Sequence, residues 1–91
     1  VEGVVKAVAE HFGIKVLELK AKKRTKEVTL PRQVAMYLAR ELIEASLNDI
    51  GKSMAKDHAT VIYACKQIEG RKTADDNFRR MVENLKNKIT P

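Results

Sequence analysis

Five residues just past the middle of the chain have side chains suited to reading a nucleic acid. They are Lys56, Asp57, His58, Ala59 and Thr60. Lysine donates to guanine O6 and N7, aspartate accepts from cytosine N4, and an alanine methyl meets the thymine methyl. Histidine donates or accepts according to its tautomer. At the start of a helix, free backbone N–H groups add a site for a phosphate. Asp57 is a good N-cap for a helix from about His58 to Glu69. Upstream, Ser46 and Asp49 form a capping-box-like pair that opens a short helix to about Met54, and Ala55-Lys56 connects the two tightly. A short helix, a tight turn and a longer helix over about 46–69 is a helix-turn-helix, which presents the start of its second helix to base edges.

The second candidate surface is cationic. The chain has 18 Lys and Arg against 12 Asp and Glu, a net charge of +6. Residues 20–40 hold seven of those cations (Lys20, Lys22, Lys23, Arg24, Lys26, Arg32 and Arg40) and one acid, Glu27. The other seventy residues carry eleven of each sign and sum to zero. A localised basic field on a neutral body points to a polyanionic partner. The stretch from Ala21 to Thr29 lacks apolar periodicity and reads as an exposed loop. Its Lys22-Lys23-Arg24-Thr25-Lys26 run can enter a minor groove, where arginine senses width and potential. Arg32 and Arg40 stand eight residues apart, close to two helical turns, and are expected to project together from one polar face toward phosphates.

The elements that must hold these groups are all helical. Apolar residues recur at helical spacing nearly throughout, and no segment shows strand alternation. The first helix spans about Glu2–Phe12, with Val4, Val5, Val8, Ala9 and Phe12 on one face and Gly13 at its C′ position. A helical turn follows at Val16–Lys20. The third helix is expected from Pro31, a residue suited to a first helical position, to about Ala45, burying Val34, Ala35, Leu38, Ala39 and Leu42. The helix after Asp57 should bury Val61, Ile62, Cys65 and Ile68 and close at Gly70. Thr73 with Asp76 marks the start of a last helix, Ala74–Ile89, with Phe78, Met81, Val82, Leu85 and Ile89 on its stripe. The fold class is all-α, about six helices in one domain over 1–91.

Several function classes lack support. There is no Gly-rich phosphate loop, no HExxH, no paired cysteines and no nucleophile triad signature, so the chain reads as a non-enzyme. One cysteine, Cys65, and two histidines do not make a zinc site, and no metal is expected. Cysteine usage fits a reducing cytoplasm, and no apolar run has the length of a membrane span. A chain that opens at Val1 reads as an excised C-terminal piece of a longer protein. The remaining alternative is a basic loop docking on an acidic membrane or protein. No helix pairs that loop with an exposed apolar face, as an interfacial helix would.

Three stretches in this order resemble the C-terminal domain of the DnaA family of bacterial replication initiators. They are Lys22-Lys23-Arg24, the run Pro31-Arg32-Gln33-Val34-Ala35-Met36-Tyr37-Leu38-Ala39-Arg40, and Asp57-His58-Ala59-Thr60-Val61. The resemblance runs from about Val5 to Ile89. It implies a Trp-repressor-like all-α domain that binds the DnaA box, a duplex of TTATCCACA type, at the replication origin. It implies Arg24 in the minor groove, and Asn48, Asp57, His58 and Ala59 at bases in the major groove; Lys56 joins that base-contacting set on its residue type and place alone. It also implies Thr25, Lys26, Arg32, Gln33, Arg40, Thr60 and Tyr63 on phosphates. The family's ATP-binding module lies upstream, so no cofactor is expected in this segment. The segment itself is expected to be monomeric, with oligomerisation on the origin left to the upstream parts. The chain departs from the family pattern in three places. The usual Phe-Gly-Gly-Arg-Asp-His turn is Met54-Ala55-Lys56-Asp57-His58, one residue shorter and without glycine. Asn48 stands where proline is usual, and Ala59 where threonine is common.

Overall fold

The computed structural model describes residues 1–21 and 25–90. Among these, six helices follow one another: α1 (Glu2–Phe12), α2 (Val16–Lys20), α3 (Lys26–Leu42), α4 (Leu47–Met54), α5 (His58–Ala74) and α6 (Asp76–Ile89). No described residue lies in a strand, so the all-α class expected from periodicity is the one found.

α3 is the axis of the fold. Six consecutive residues, Val34 to Ala39, are buried, so the helix is enclosed on all sides instead of showing one apolar stripe. α5 and α1 pack on it and α6 chiefly on those two, and Val4, Val5, Val8, Val61, Ile68, Phe78, Val82 and Leu85 join its buried residues in one cluster. Each fully buried aliphatic side chain is worth about 1.5–3 kcal/mol over exposure, and this shared cluster is what orders short helices that would not persist alone.

The caps explain most of the boundaries. Gly13 adopts the left-handed region at φ 67°, and its N–H and that of Ile14 close α1 onto Glu10 and Ala9 carbonyls, a Schellman ending. Ser46 Oγ accepts from Asp49 N at 3.0 Å, and Asp57 Oδ1 accepts from Thr60 N at 2.8 Å. Both N-caps are the residues expected from their types.

Four boundaries differ from expectation: both ends of α3, the end of α5, and the start of α6, which lies at Asp76 with Asp75 and not Thr73 as its cap. α3 begins at Lys26, five residues before Pro31. The Thr25 carbonyl accepts from Val28 N, Thr29 N and Thr29 Oγ1, and Val28 is buried. Together these hold a helical turn ahead of the proline despite the bond Pro31 cannot donate. The expected loop therefore shrinks, and Lys26 to Thr29 are helical. α3 also ends early, at Leu42, with Glu44 in the left-handed region at φ 50°. α5 passes through Gly70 and ends at Ala74. Its last turn is held by Arg71 stacked 4.4 Å from the Phe78 ring and by Lys72 Nζ donating to Tyr37 OH at 2.7 Å. Thr73 bonds back to the Glu69 carbonyl, and Asp75 caps α6 by accepting from Phe78 N. Ile62, expected inside, is 38% exposed, while Ala64 takes the buried place.

The connection between α4 and α5 is tight enough to need two special residues. Ala55 closes α4 in the left-handed region at φ 56°, and Lys56 N donates to the Gly51 carbonyl at 2.9 Å. A Cβ on Gly51 would lie 2.7 Å from the Lys56 carbonyl oxygen, so this position requires glycine for closeness of approach. Gly51→Ala should destabilise the domain by about 1–2 kcal/mol, the clash outweighing the gain in helix propensity. Ala55→Gly should stabilise it by about 1 kcal/mol by relieving left-handed strain. Thermal melts of the two variants check these opposite shifts.

Candidate nucleic-acid interface

The start of α5 stands in solvent. Asp57, His58, Ala59 and Thr60 are all exposed, as is Asn48 near the start of α4. Asp57 is both cap and exposed carboxylate: one oxygen is taken by Thr60 N, which leaves acceptor capacity on the other. Hydrogen bonds from the Thr60 side chain and backbone hold its carboxyl below the usual aspartate range. One turn on, Tyr63 is 57% exposed, and its hydroxyl accepts from Gln67 Nε2. Gln67 was not anticipated from the sequence, although its four-residue spacing from Tyr63 was a usable signal.

A cleft of about 520 Å³ between α3 and α5 gathers five of the expected phosphate and base residues: Arg32, Gln33, Lys56, Thr60 and Tyr63. Thr29, Met36 and Ala64 complete its wall; none of them is among the expected site residues. Thr25 and Lys26 are exposed at the N-terminal end of α3. Arg40 is exposed toward its other end, where Nη1 donates to the Ala45 carbonyl at 2.9 Å. Arg24, expected in a minor groove, lies outside the described residues together with Lys22 and Lys23.

Two cations sit differently from expectation. Arg32 does not share a solvated face with Arg40: it is 7% exposed. Its Nε donates to the Leu19 carbonyl at 2.7 Å, and its Nη2 donates to Glu18 and Ala21 carbonyls at 3.1 and 2.8 Å. The physical reason is the end of α2, where helical donors run out and a planar fork adds its own N–H groups to carbonyls that include Glu18, which also accepts from Ala21 N at 3.3 Å. Burial pulls the Arg32 pKa below its ordinary value. Lys56, expected at a base edge, donates from Nζ to the same Ala21 carbonyl at 2.9 Å and is half-buried.

Behind this surface, Glu2 accepts from Lys20 Nζ at 2.9 Å and from Ser53 Oγ at 2.6 Å, tying α1, α2 and α4 together. Cys65 is partly buried, and burial pushes its thiol pKa up, which keeps it unreactive.

A short helix ending in a left-handed residue, a capped longer helix and an exposed first turn make up a helix-turn-helix with its reading end free. The family model described as "Bacterial dnaA protein helix-turn-helix" matches residues 1–68. The chain belongs to the bacterial DnaA family. It is 45% identical over 91 residues to the chromosomal replication initiator protein DnaA of Thermodesulfovibrio yellowstonii, covering 99% of this chain and 21% of that protein. It is 48% identical over 90 residues to DnaA of Geobacter sp. strain M21, covering 98% of this chain and 20% of that one. The chain thus spans about a fifth of these DnaA relatives. A solved structure titled as a DNA replication initiation factor superposes with a TM-score of 0.86 at 34% identity, over 94% of this chain and 26% of the other. AMPPCP-bound DnaA from Aquifex aeolicus gives 0.82 at 32% identity, over 97% and 26%.

Two outcomes follow for this DnaA segment. Replacing Arg32 by Met should cost about 3 kcal/mol or more, because buried carbonyls lose their donors. Arg32→Lys should recover only part of it, since an ammonium lacks the fork; denaturant unfolding measures both. The Asp57 cap should contribute fully above the unfolded aspartate pKa and be lost as pH falls through the depressed native value. Asp57→Ala should accordingly remove that share of the acid-limb slope in stability measured against pH.

Proposed function

We propose that this chain is the sequence-specific duplex-DNA reader of a bacterial replication initiator, binding DnaA boxes of TTATCCACA type at the origin. The observation that carries the reading is the exposed first turn of α5, Asp57 to Thr60, with Thr60 lining a cleft that also holds Arg32 and Lys56. Family membership supports the same reading.

In this proposal Asn48, Asp57, His58 and Ala59 face bases in the major groove, and Arg24 enters the adjacent minor groove. Thr25, Lys26, Gln33, Arg40, Thr60 and Tyr63 meet phosphates. Arg32 acts from behind them by holding α2. Lys26 and Arg40 stand fourteen residues apart on α3, about 21 Å along the axis, which matches roughly six base-pair rises. Phosphate groups set register and most of the affinity; the base-facing groups choose the sequence. Ala59 offers a methyl to thymine and no hydroxyl, so any hydroxyl contact at this turn falls to Thr60. The domain performs no chemistry of its own and works in the cytoplasm as a monomer on its box. ATP binding and oligomerisation belong to the rest of the initiator.

The test is a titration of box and scrambled duplexes at fixed salt. The wild-type chain should prefer the box, and Arg24→Ala and His58→Ala should each lose about 1–3 kcal/mol of that preference. Arg40→Ala should weaken both duplexes alike and flatten the log–log salt dependence by about one. Equal binding of both duplexes by the wild-type chain would overturn the reading.

A further inference from the structure

One backbone oxygen receives two cationic side chains from different elements. The Ala21 carbonyl accepts from Arg32 Nη2, on α3, at 2.8 Å and from Lys56 Nζ, in the turn that launches α5, at 2.9 Å. Arg32 secures α2 against α3. Lys56 alone among the two reaches across from the helix-turn-helix. Its own backbone is fixed by the bond from Lys56 N to the Gly51 carbonyl, with the oxygen of Lys56 packed where Gly51 has no Cβ. Its root is therefore rigid, and a charge-assisted bond from a rigid root transmits position.

Ala21 lies four residues before Thr25, whose carbonyl starts α3, and Thr25 and Lys26 are exposed there. Asp57 and His58 are exposed immediately after Lys56. The Lys56–Ala21 bond thus joins the end of α2, which Arg32 holds against α3, to the turn that launches α5. We infer that Lys56 is a positioning residue: it clamps the end of α2 to the helix-turn-helix turn, so that backbone-contacting groups at the start of α3 and base-facing groups at the start of α5 engage one duplex in a single register. This inference rests on the DNA-reading function proposed above. It differs from a direct base or phosphate contact, in which Lys56 would act alone.

The experiment is a double-mutant cycle on box-duplex affinity with the single variants Lys56→Met and Lys26→Ala and the double variant. If Lys56 positions, the Lys26→Ala penalty, on the order of a few-fold, should shrink toward none in the Lys56→Met background. Lys56→Arg, which keeps a donor for the carbonyl, should restore it. Additive losses, with the Lys26→Ala penalty undiminished, would overturn the inference, as would a Lys56→Met loss confined to one base pair. A merely structural role lowers melting temperature while leaving the Lys26→Ala penalty unchanged among folded proteins, and so also counts against it. A readout without DNA separates this from failure of the DNA reading itself: the carbonyl ¹³C resonance of Ala21 should move in Lys56→Met and return in Lys56→Arg. An unmoved resonance refutes the clamp whatever the chain binds.

Discussion

The arrangement depends on a guanidinium placed against the end of a five-residue helix. α2 is too short to be stable in isolation, and helical donors run out along its closing carbonyls, where Glu18 receives the Ala21 N–H at 3.3 Å. Arg32 adds donors from α3. Taking a charge out of water is costly unless its donors are used, and here several converge on a row of carbonyls already polarised by the helix. Without this contact α2 has one buried side chain, Leu19, and Lys20 loses the frame from which it meets Glu2.

Around that joint the fold is a division between a dry axis and a wet end. α3 is enclosed along Val34–Ala39, and the helices around it bury most of their apolar residues against it. The helix-turn-helix keeps Val61, Ala64 and Ile68 on this axis and leaves the first turn of α5 outside. The turn between α4 and α5 is made tight by two residues. Ala55 bears the left-handed conformation that a glycine adopts at lower cost, and Gly51 gives way to the Lys56 carbonyl.

Much of this was legible in residue types. Gly13, Ser46 and Asp57 cap where their chemistry says they should, and the stripes of α1 and α6 are periodic. What was hidden was non-local. Pro31 reads as a helix start because proline suits that position, and only the buried Val28 and the bonds to the Thr25 carbonyl carry the helix back past it. Gly70 reads as a stop, yet Arg71 and Lys72 find ring and hydroxyl partners that extend α5. Ala64 is too small to announce its burial against Ile62. Arg32 did leave a trace: it stands three residues before Ala35 and four before Met36, on an apolar face, and an arginine so placed is a candidate for internal use. The assignment of roles to Asn48, Gln33 and Tyr63 came from family resemblance, since exposed polar residues carry no periodic signature.

The internal use of Arg32 and the pairing of Lys20 with Glu2 also bear on kinetics. Of the described cations in residues 20–40, these two are committed within the fold, whereas Lys26 and Arg40 are exposed, with Glu27 the one acid in that stretch. A charge excess confined to one region of a small body gives it a strong permanent dipole moment. In the field of a polyanion such a body experiences a torque before it makes contact. It turns its basic side forward during diffusion, so that a large share of collisions arrive already oriented, and the advantage fades as salt shortens the range of the field.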